Sequence, residues 1–541
     1  MGSGITSLLD ISRRSLLNQS QSIRVVGNNI ANVDTPGYSR RTPVVVSATA
    51  TGSGEDAAFG SGADILNVSR SVDSYLTKEE ISRISDRSYS EVKDELLSRA
   101  ESLFPIGDEG RSIGGQLTAF FQSLENLEES PSDMALRAGV VEQGQRLTKT
   151  VNSVFDGLSS LQREADNRLE FLVGEANGLT TEVARLNKLI AASEIGVQQN
   201  LTLRDQRDQT IRDLGEIVSF NSIEQSDGSV NLSLSNGFGL VTGSTARNLE
   251  VSKVPSFGAS PSGLDGQGLN YVVFNFGDEA TPSHFDLTNV LASGKGSLGA
   301  TLSLRGVYDQ TDTNAYDAVG DVVEFAARVE LVARDLLTRF NQAYLGPDED
   351  GTAVGHQPST GDLDNNQPST YGLFTFDGVV DSDADGLPDD LGANGYVNYA
   401  QRIQFGLSDP RNIAASTDLD ATAGSLSFAS GDGSNIARLL ALRDQTIPVS
   451  AIGNYSVTGT LETVYDTTVT RVGSLKAQAS TDLTINKARE EQIKELQASV
   501  SGVSLDEEFA KLIQLQRGFQ ASARMVKVGD ELLSEILGIL S

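Results

Sequence analysis

The 541-residue chain has no cysteine and no tryptophan, two histidines (His284 and His356) and three methionines. Without thiols there is no disulfide, no cysteine nucleophile and no thiolate metal site, and two histidines so far apart in sequence oppose a multi-histidine metal centre. Basic residues are also scarce: 42 Lys and Arg face 73 Asp and Glu, a net charge of −31. A surface so short of cations opposes general binding to nucleic acid or to anionic membranes. Long apolar runs are missing too. No stretch approaches the roughly 18 apolar residues that cross a bilayer, and Leu8, Leu9, Leu16 and Leu17 are interrupted by Asp10, Arg13 and Arg14, unlike the apolar core of a cleaved secretory signal. The expectation is a soluble chain, exported, if at all, without a cleaved signal.

What is present is periodic at both ends. Steps of seven link Leu9, Leu16, Ile23 and Ile30, and again Leu512, Phe519, Val526, Leu533 and Leu540, with Leu505 one step before them. Each is the apolar seam of a long helix that needs a partner, with Ile5, Val26, Leu515 and Ile536 as second-row contacts. At about 1.5 Å per residue, a helix over 3–31 spans about 40 Å and one over 505–540 somewhat over 50 Å. Further helical segments are expected over 73–104, 201–218, 317–344 and 436–500, the last broken near 447–457. The run 132–193 opens on Pro131-Ser132-Asp133, a good N-cap setting. It is either one rod-like helix or two broken near Gly139, Gly144 or Gly157.

Between Phe220 and Leu304 the texture changes to short alternating runs such as 230–234 and 271–276 among Gly, Ser and Asn, which reads as antiparallel β structure. A second irregular region, 346–435, has fifteen acids against Arg402 and Arg411, a net of −13. Residues 1–50 instead carry five Arg against Asp10 and Asp34, a net of +3. Within the acidic region Asp381, Asp383, Asp385 and Asp389 hold positions 1, 3, 5 and 9 of a calcium loop, with Gly386 at the sharp turn. Position 12 is Gly392 instead of a bidentate Glu, so a solvated acidic turn explains the same residues. His284 and His356 lack a nucleophile elbow or a motif partner, and no strand leads into a phosphate loop with its Lys. No catalytic residues are assigned.

The most distinctive string is Gly27-Asn28-Asn29-Ile30-Ala31-Asn32-Val33-Asp34-Thr35-Pro36-Gly37-Tyr38-Ser39-Arg40. Pro36 biases Thr35 out of helical geometry, Gly37 permits positive φ, and three Asn favour turns. The helix stops here and the chain turns into the β-branched run Val44–Val46, so Asn28, Asn29, Asn32, Pro36, Gly37, Tyr38 and Arg40 form a junction turn. This string resembles the signature of the axial proteins of the bacterial flagellum, and its Pro36-Gly37-Tyr38-Ser39-Arg40 form is similar to the hook-associated protein 1 family. Hook and distal rod proteins usually follow the Asn motif with Gly-Phe. Leu203–Asp208, Gly243–Arg247, Ser297–Arg305, Phe340-Asn341 and Ser501–Glu508 are similar to stretches of that family in the same order.

The resemblance implies a multidomain, mainly α fold with a β insertion. The terminal helices (1–45 and 501–541) form a coiled coil lining a tube, a helical rod-like domain comprises 46–218, 291–345 and 436–500, and an outer antiparallel β and acidic domain comprises 219–290 and 346–435. It implies a non-enzymatic structural part, exported by the flagellar type III system and placed at the hook–filament junction. Its implied partners are further copies in a ring, hook protein, a second junction protein, the filament cap during assembly, and an export chaperone on the C-terminal helix. No cofactor is implied, calcium on the Asp loop apart. Another flagellar axial protein (hook, distal rod or flagellin-like), or a calcium-binding outer insertion, stays open as an alternative.

Overall fold

A computed structural model of the chain describes residues 2–48, 60–105, 110–194, 199–253, 263–276, 283–308, 318–345, 372–376, 398–416, 431–452 and 455–540. In chain order, α1 (Gly2–Ala31) turns into the hairpin β1 (Arg41–Ser47) and β2 (Ala63–Arg70). Then follow α2 (Ser74–Ser102), α3 (Ile113–Glu129), α4 (Met134–Ser193) and α5 (Leu201–Ile217). The next strands are β3 (Asn221–Glu224), β4 (Val230–Ser233), β5 (Gly239–Thr242), β6 (Thr245–Ala246), β7 (Glu250–Ser252), β8 (Tyr271–Asn275) and β9 (His284–Asp286). Helix resumes in α6 (Thr288–Ala292), α7 (Gly296–Arg305) and α8 (Asp321–Asp335), which passes through a π-helical turn, Leu336–Phe340, into α9 (Asn341–Leu345). The last elements are β10 (Phe374–Phe376), α10 (Tyr399–Arg402), β11 (Ile403–Phe405), α11 (Ser434–Ala441), the hairpin β12 (Ile447–Ile452) and β13 (Tyr455–Gly459), α12 (Leu461–Ser501) and α13 (Leu505–Leu540).

The chain divides into two compact units, 1–88 with 174–248 and 485–541, and 89–173 with 249–484. In the first unit α1 and α13 pack antiparallel. Ser15 Oγ meets Ser522 Oγ at 2.8 Å, and Gly518 and Gly529 lie against Gln19 and Leu9. The β1–β2 hairpin, paired from Arg41 opposite Arg70 to Ser47 opposite Ala63 with a bulge at Val44/Val45, packs along α1. The antiparallel sheet β3-β4-β5-β6 completes this unit beside α5 and the end of α4.

In the second unit α3, α8 and parts of α2, α4 and α12 enclose an aromatic core. Phe120, Phe340, Phe374 and Phe405 sit with ring centroids 5.6 to 6.3 Å apart, mostly edge to face, contacts worth about 0.5–1.5 kcal/mol each beyond their burial. The helix α4 runs unbroken for 60 residues, capped by Asp133, whose side chain accepts from Ala135 N at 2.7 Å. Its glycines are contact points and not breaks. A Cβ on Gly144 would stand 2.2 Å from the Phe405 ring, and one on Gly157 2.6 Å from Leu103.

The segments 219–290 and 346–435, expected as an outer domain, are divided between the two units. The β texture divides at Asn248/Leu249, β3–β6 belonging to the first unit and β7-β8-β9 to the second. The described parts of 346–435 contribute apolar residues to the core. Leu373, Phe374, Ile403, Phe405, Ile413 and Ala414 are buried in the second unit, because apolar residues interspersed in the Gly- and Asp-rich stretch are drawn to the aromatic cluster.

Candidate functional site

The junction turn is built by residues that stop α1 one after another. Asn32 folds back on Asn28, its amide N–H and side-chain Nδ2 donating to Asn28 O at 3.2 and 2.8 Å. Thr35 Oγ1 donates to Asn32 Oδ1 at 3.2 Å, and Gly37 adopts φ +76°, where a side chain is strained. Tyr38 then reaches back, its hydroxyl placed 3.0 Å from Asn28 Oδ1 and 2.8 Å from Asn29 Oδ1. Burial pushes the Tyr38 pKa up, against the lowering effect of the nearby Arg41 guanidinium, which lies over the ring at 5.1 Å.

Asn29, on a buried face of α1, joins three segments. Its Oδ1 accepts from Arg41 N at 3.0 Å, and its Nδ2 donates to Arg41 O and to Glu508 Oε2, each at 3.0 Å. The Arg41 backbone is thus paired as a strand neighbour would pair it. Glu508 is in the first turn of α13, beside Asp506 and Glu507 where the helix dipole favours carboxylates. The amide of Glu507 donates to Ser504 Oγ at 3.5 Å and that of Glu508 to Ser504 O at 3.0 Å, which sets the start of the helix. The buried Glu508 carboxylate accepts from Arg40 Nε at 3.0 Å, Arg40 donates from its other arm to Glu507 Oε2 at 3.0 Å, and Arg40 N donates to Ser501 O at 2.9 Å.

A second layer fastens the same turn to α5. Arg41 donates to Thr202 Oγ1 at 2.9 Å, and Arg70, at the far end of β2, donates to Asp205 at 3.0 Å and Asp208 at 2.8 Å. Behind it, hydrogen bonding to Arg204 holds the Glu194 carboxyl below its ordinary range, and burial lowers the pKa of Arg207. The turn residues Pro36, Gly37 and Tyr38, with Glu182, Asp205 and Gln209, line a cavity of about 570 Å³.

The structure therefore brings Asn28, Asn29, Asn32, Pro36, Gly37, Tyr38 and Arg40 together as the turn. Glu508, Arg41, Arg70, Asp205 and Asp208 are partners that the sequence reading did not assign, although the strings 203–208 and 501–508 had marked their neighbourhoods. Within one copy the expected helix seam is only partly covered. Leu9, Leu16, Ile23 and Ile30 are only half-buried, and the α1 residues buried along the seam are Ser12, Ser22, Val26 and Asn29. Across from them lie Glu508, Ser522 and Gly529, with Leu512, Val526 and Leu533 half-buried and Phe519 40 % exposed. An exact seven-residue repeat drifts about 20° per heptad on a straight helix, so the apolar row keeps to the edge of the contact line, where Leu9 packs on Gly529, and small residues hold its centre at close approach. The side chain of Leu540 lies outside the described residues, as do Asp381, Asp383, Asp385, Asp389 and His356. His284 lies on β9. Among the described residues no group of three or more His, Cys, Asp or Glu could hold a metal, and no helix is long and apolar enough to cross a membrane.

Three family descriptions match in chain order. Residues 9–38 match the flagella basal body rod protein, 97–357 the flagellar hook-associated protein FlgK helical domain, and 498–539 the C-terminal part of the flagellar basal body rod FlgEFG proteins. The first and third meet at the turn. The flagellar hook-associated protein 1 of Escherichia coli is 24 % identical over 99 % of this chain and 100 % of its own length, and that of Bacillus subtilis is 26 % identical over 98 % and 97 %. A solved structure of the flagellar hook junction protein FlgK from Burkholderia pseudomallei shares the fold, with a TM-score of 0.56 at 16 % identity over 78 % of this chain and all of its own. With full-length relatives of one name, matched domains in the same order and a shared fold, the chain is similar over its whole length to the flagellar hook-associated protein 1 family.

Proposed function

We propose that the chain is a structural part of the bacterial flagellum that joins hook to filament and reaches that place by flagellar type III export. The observation that carries the reading is the knot of Asn29, Arg40 and Glu508. It ties the end of α1, the start of β1 and the start of α13 at one point, so that an inner helix pair and the elements after the turn move as one piece. The pair itself is weakly covered. Half-buried Leu, Ile and Val recover only part of the ~1.5–3 kcal/mol that full burial of such a side chain gives, and Leu505, Phe509, Ile513, Phe519, Met525, Val528 and Leu532 stay exposed. Neighbouring subunits complete these faces, and before assembly both ends are disordered.

In this reading the chain acts with other hook and filament components and catalyses nothing. Its partners are copies of itself in a ring, hook protein, a second junction protein and the cap during growth, with an export chaperone holding 505–540 beforehand. Calcium on Asp381–Asp390 is a separate proposal that titration calorimetry with calcium decides. The central test is a chain truncated after Gly502, which is expected to leave hooks without filaments. Filament growth on hooks carrying that truncation would contradict the role.

A further inference from the structure

We infer that the groove between α1 and β2 receives the start of α13 from a second copy of this chain, so that copies associate head to tail. The inference rests on the assembly proposed above and assigns the surfaces that make it. The receiving side is an open cavity of about 680 Å³ whose lining includes Gln21, Arg24, Val25, Ile65 and Leu66. Leu66 is 49 % exposed, and Val45 on the same hairpin is exposed as well. Arg24 is exposed and has no ion-pair partner among the described residues. The inserting side is the row Leu505, Phe509 and Ile513, spaced i, i+4, i+8 on one face of α13 and about half exposed. It stands apart from the seam line of Glu508, Ser522 and Gly529. Asp506, in the first turn of the same helix, is exposed and likewise has no ion-pair partner among the described residues.

Charge complementarity selects the occupant. A net charge of −31 makes an unspecific contact between copies repulsive, whereas this contact sets an unpaired cation in a groove of mixed lining, polar along Gln21, Asn28 and Asn67 and apolar at Val25, Ile65 and Leu66, against an unpaired carboxylate beside an apolar row. Groove and row are different surfaces of one molecule, so the contact is heterologous, and repeating it builds a ring or a helix instead of a closed two-fold dimer.

The chain has no cysteine, so introduced thiols are the only ones it carries. Leu66→Cys and Phe509→Cys proteins, co-assembled in equal amounts on hooks and oxidised, are expected to give a disulfide dimer, and the double variant a ladder of higher species. Ser15→Cys/Ser522→Cys, across the seam of one copy, reports that the helix pair has formed. Exchanging charges provides the second arm. Arg24→Glu or Asp506→Arg alone is expected to reduce the number of filaments about two- to fivefold, the range of a solvent-accessible pair, and the double exchange to restore it. Filaments that grow with a closed seam disulfide but no dimer, a Phe509→Cys cross-link to a different flagellar protein, or no restoration by the double exchange each overturn the docking assignment while leaving the junction role intact. If the unmodified chain does not enter hook-bound structures, the junction role falls and this assignment with it.

Discussion

Replacing Glu508 by Gln changes no volume and removes one charge, which isolates the electrostatics of the knot. The Glu508 side chain is 1 % exposed and both of its oxygens are used, Oε2 by Asn29 Nδ2 and Oε1 by Arg40 Nε. In Glu508→Gln one of those positions becomes an NH2, and a donor then faces a donor. Breaking a buried ion pair from one side costs about 3–5 kcal/mol. Here Arg40 is 17 % exposed and keeps Glu507, so about 2–3 kcal/mol is the reasonable expectation, the cost of an unmade buried hydrogen bond to a charged group. Glu507→Gln is the matched control, because that side chain is 61 % exposed and an exposed pair contributes about 0–1 kcal/mol. Hydrogen exchange on hook–filament structures reads the difference at the Arg40 and Arg41 amides, which donate to Ser501 O and Asn29 Oδ1. Exchange there is expected to speed up about 30- to 150-fold in Glu508→Gln and about fivefold or less in Glu507→Gln. Equal small effects would refute the reasoning, since the knot would then hold without its buried carboxylate.

Two further predictions concern single groups. Tyr38 is neutral in the turn, with its pKa raised by burial. A group whose folded pKa is raised contributes stability that is complete below its unfolded pKa and lost as pH rises through the folded one. The Arg41 amide in assembled structures should therefore exchange faster than its intrinsic rate explains at strongly alkaline pH, and Tyr38→Phe should remove that dependence; an unchanged profile in Tyr38→Phe rules the phenol out. In the second unit Gly144→Ala drives a methyl into the Phe405 ring, whereas Gly139 has nothing within 4 Å of an added Cβ. Thermal unfolding of the purified chain should show Gly144→Ala destabilised by about 1–3 kcal/mol and Gly139→Ala unchanged or stabilised by about 0.5–1 kcal/mol; equal shifts would mean that the Phe405 contact is absent.

How much of this was readable in the sequence depended on the distance over which each signal acts. The helices α1, α4 and α13 repeat a pattern within a few turns, and the stop at Asn28–Arg40 is written in adjacent residues, so both were visible. The partners of that stop were not. Glu508 and Asp205 lie far along the chain from Arg40 and Arg70, and nothing in their local composition distinguishes them from the other acids. The aromatic core was hidden for a related reason. Phe374 and Phe405 sit in a segment whose glycines and carboxylates read as a solvated insertion, and only the packed fold sets them beside Phe120 and Phe340.

At the seam the pattern was visible and what covers it was not. Periodicity reports that a face avoids water, and it does not report which neighbour covers it. In one copy the contact line between α1 and α13 is occupied by Ser12, Ser22, Asn29, Ser522 and Gly529, while the heptad leucines flank it. A helix pair evolved to be stable alone would place Leu16 and Phe519 on that line and serines outside. The reverse arrangement keeps apolar surface available at the edges, and surface that one copy leaves open is surface that assembly can use.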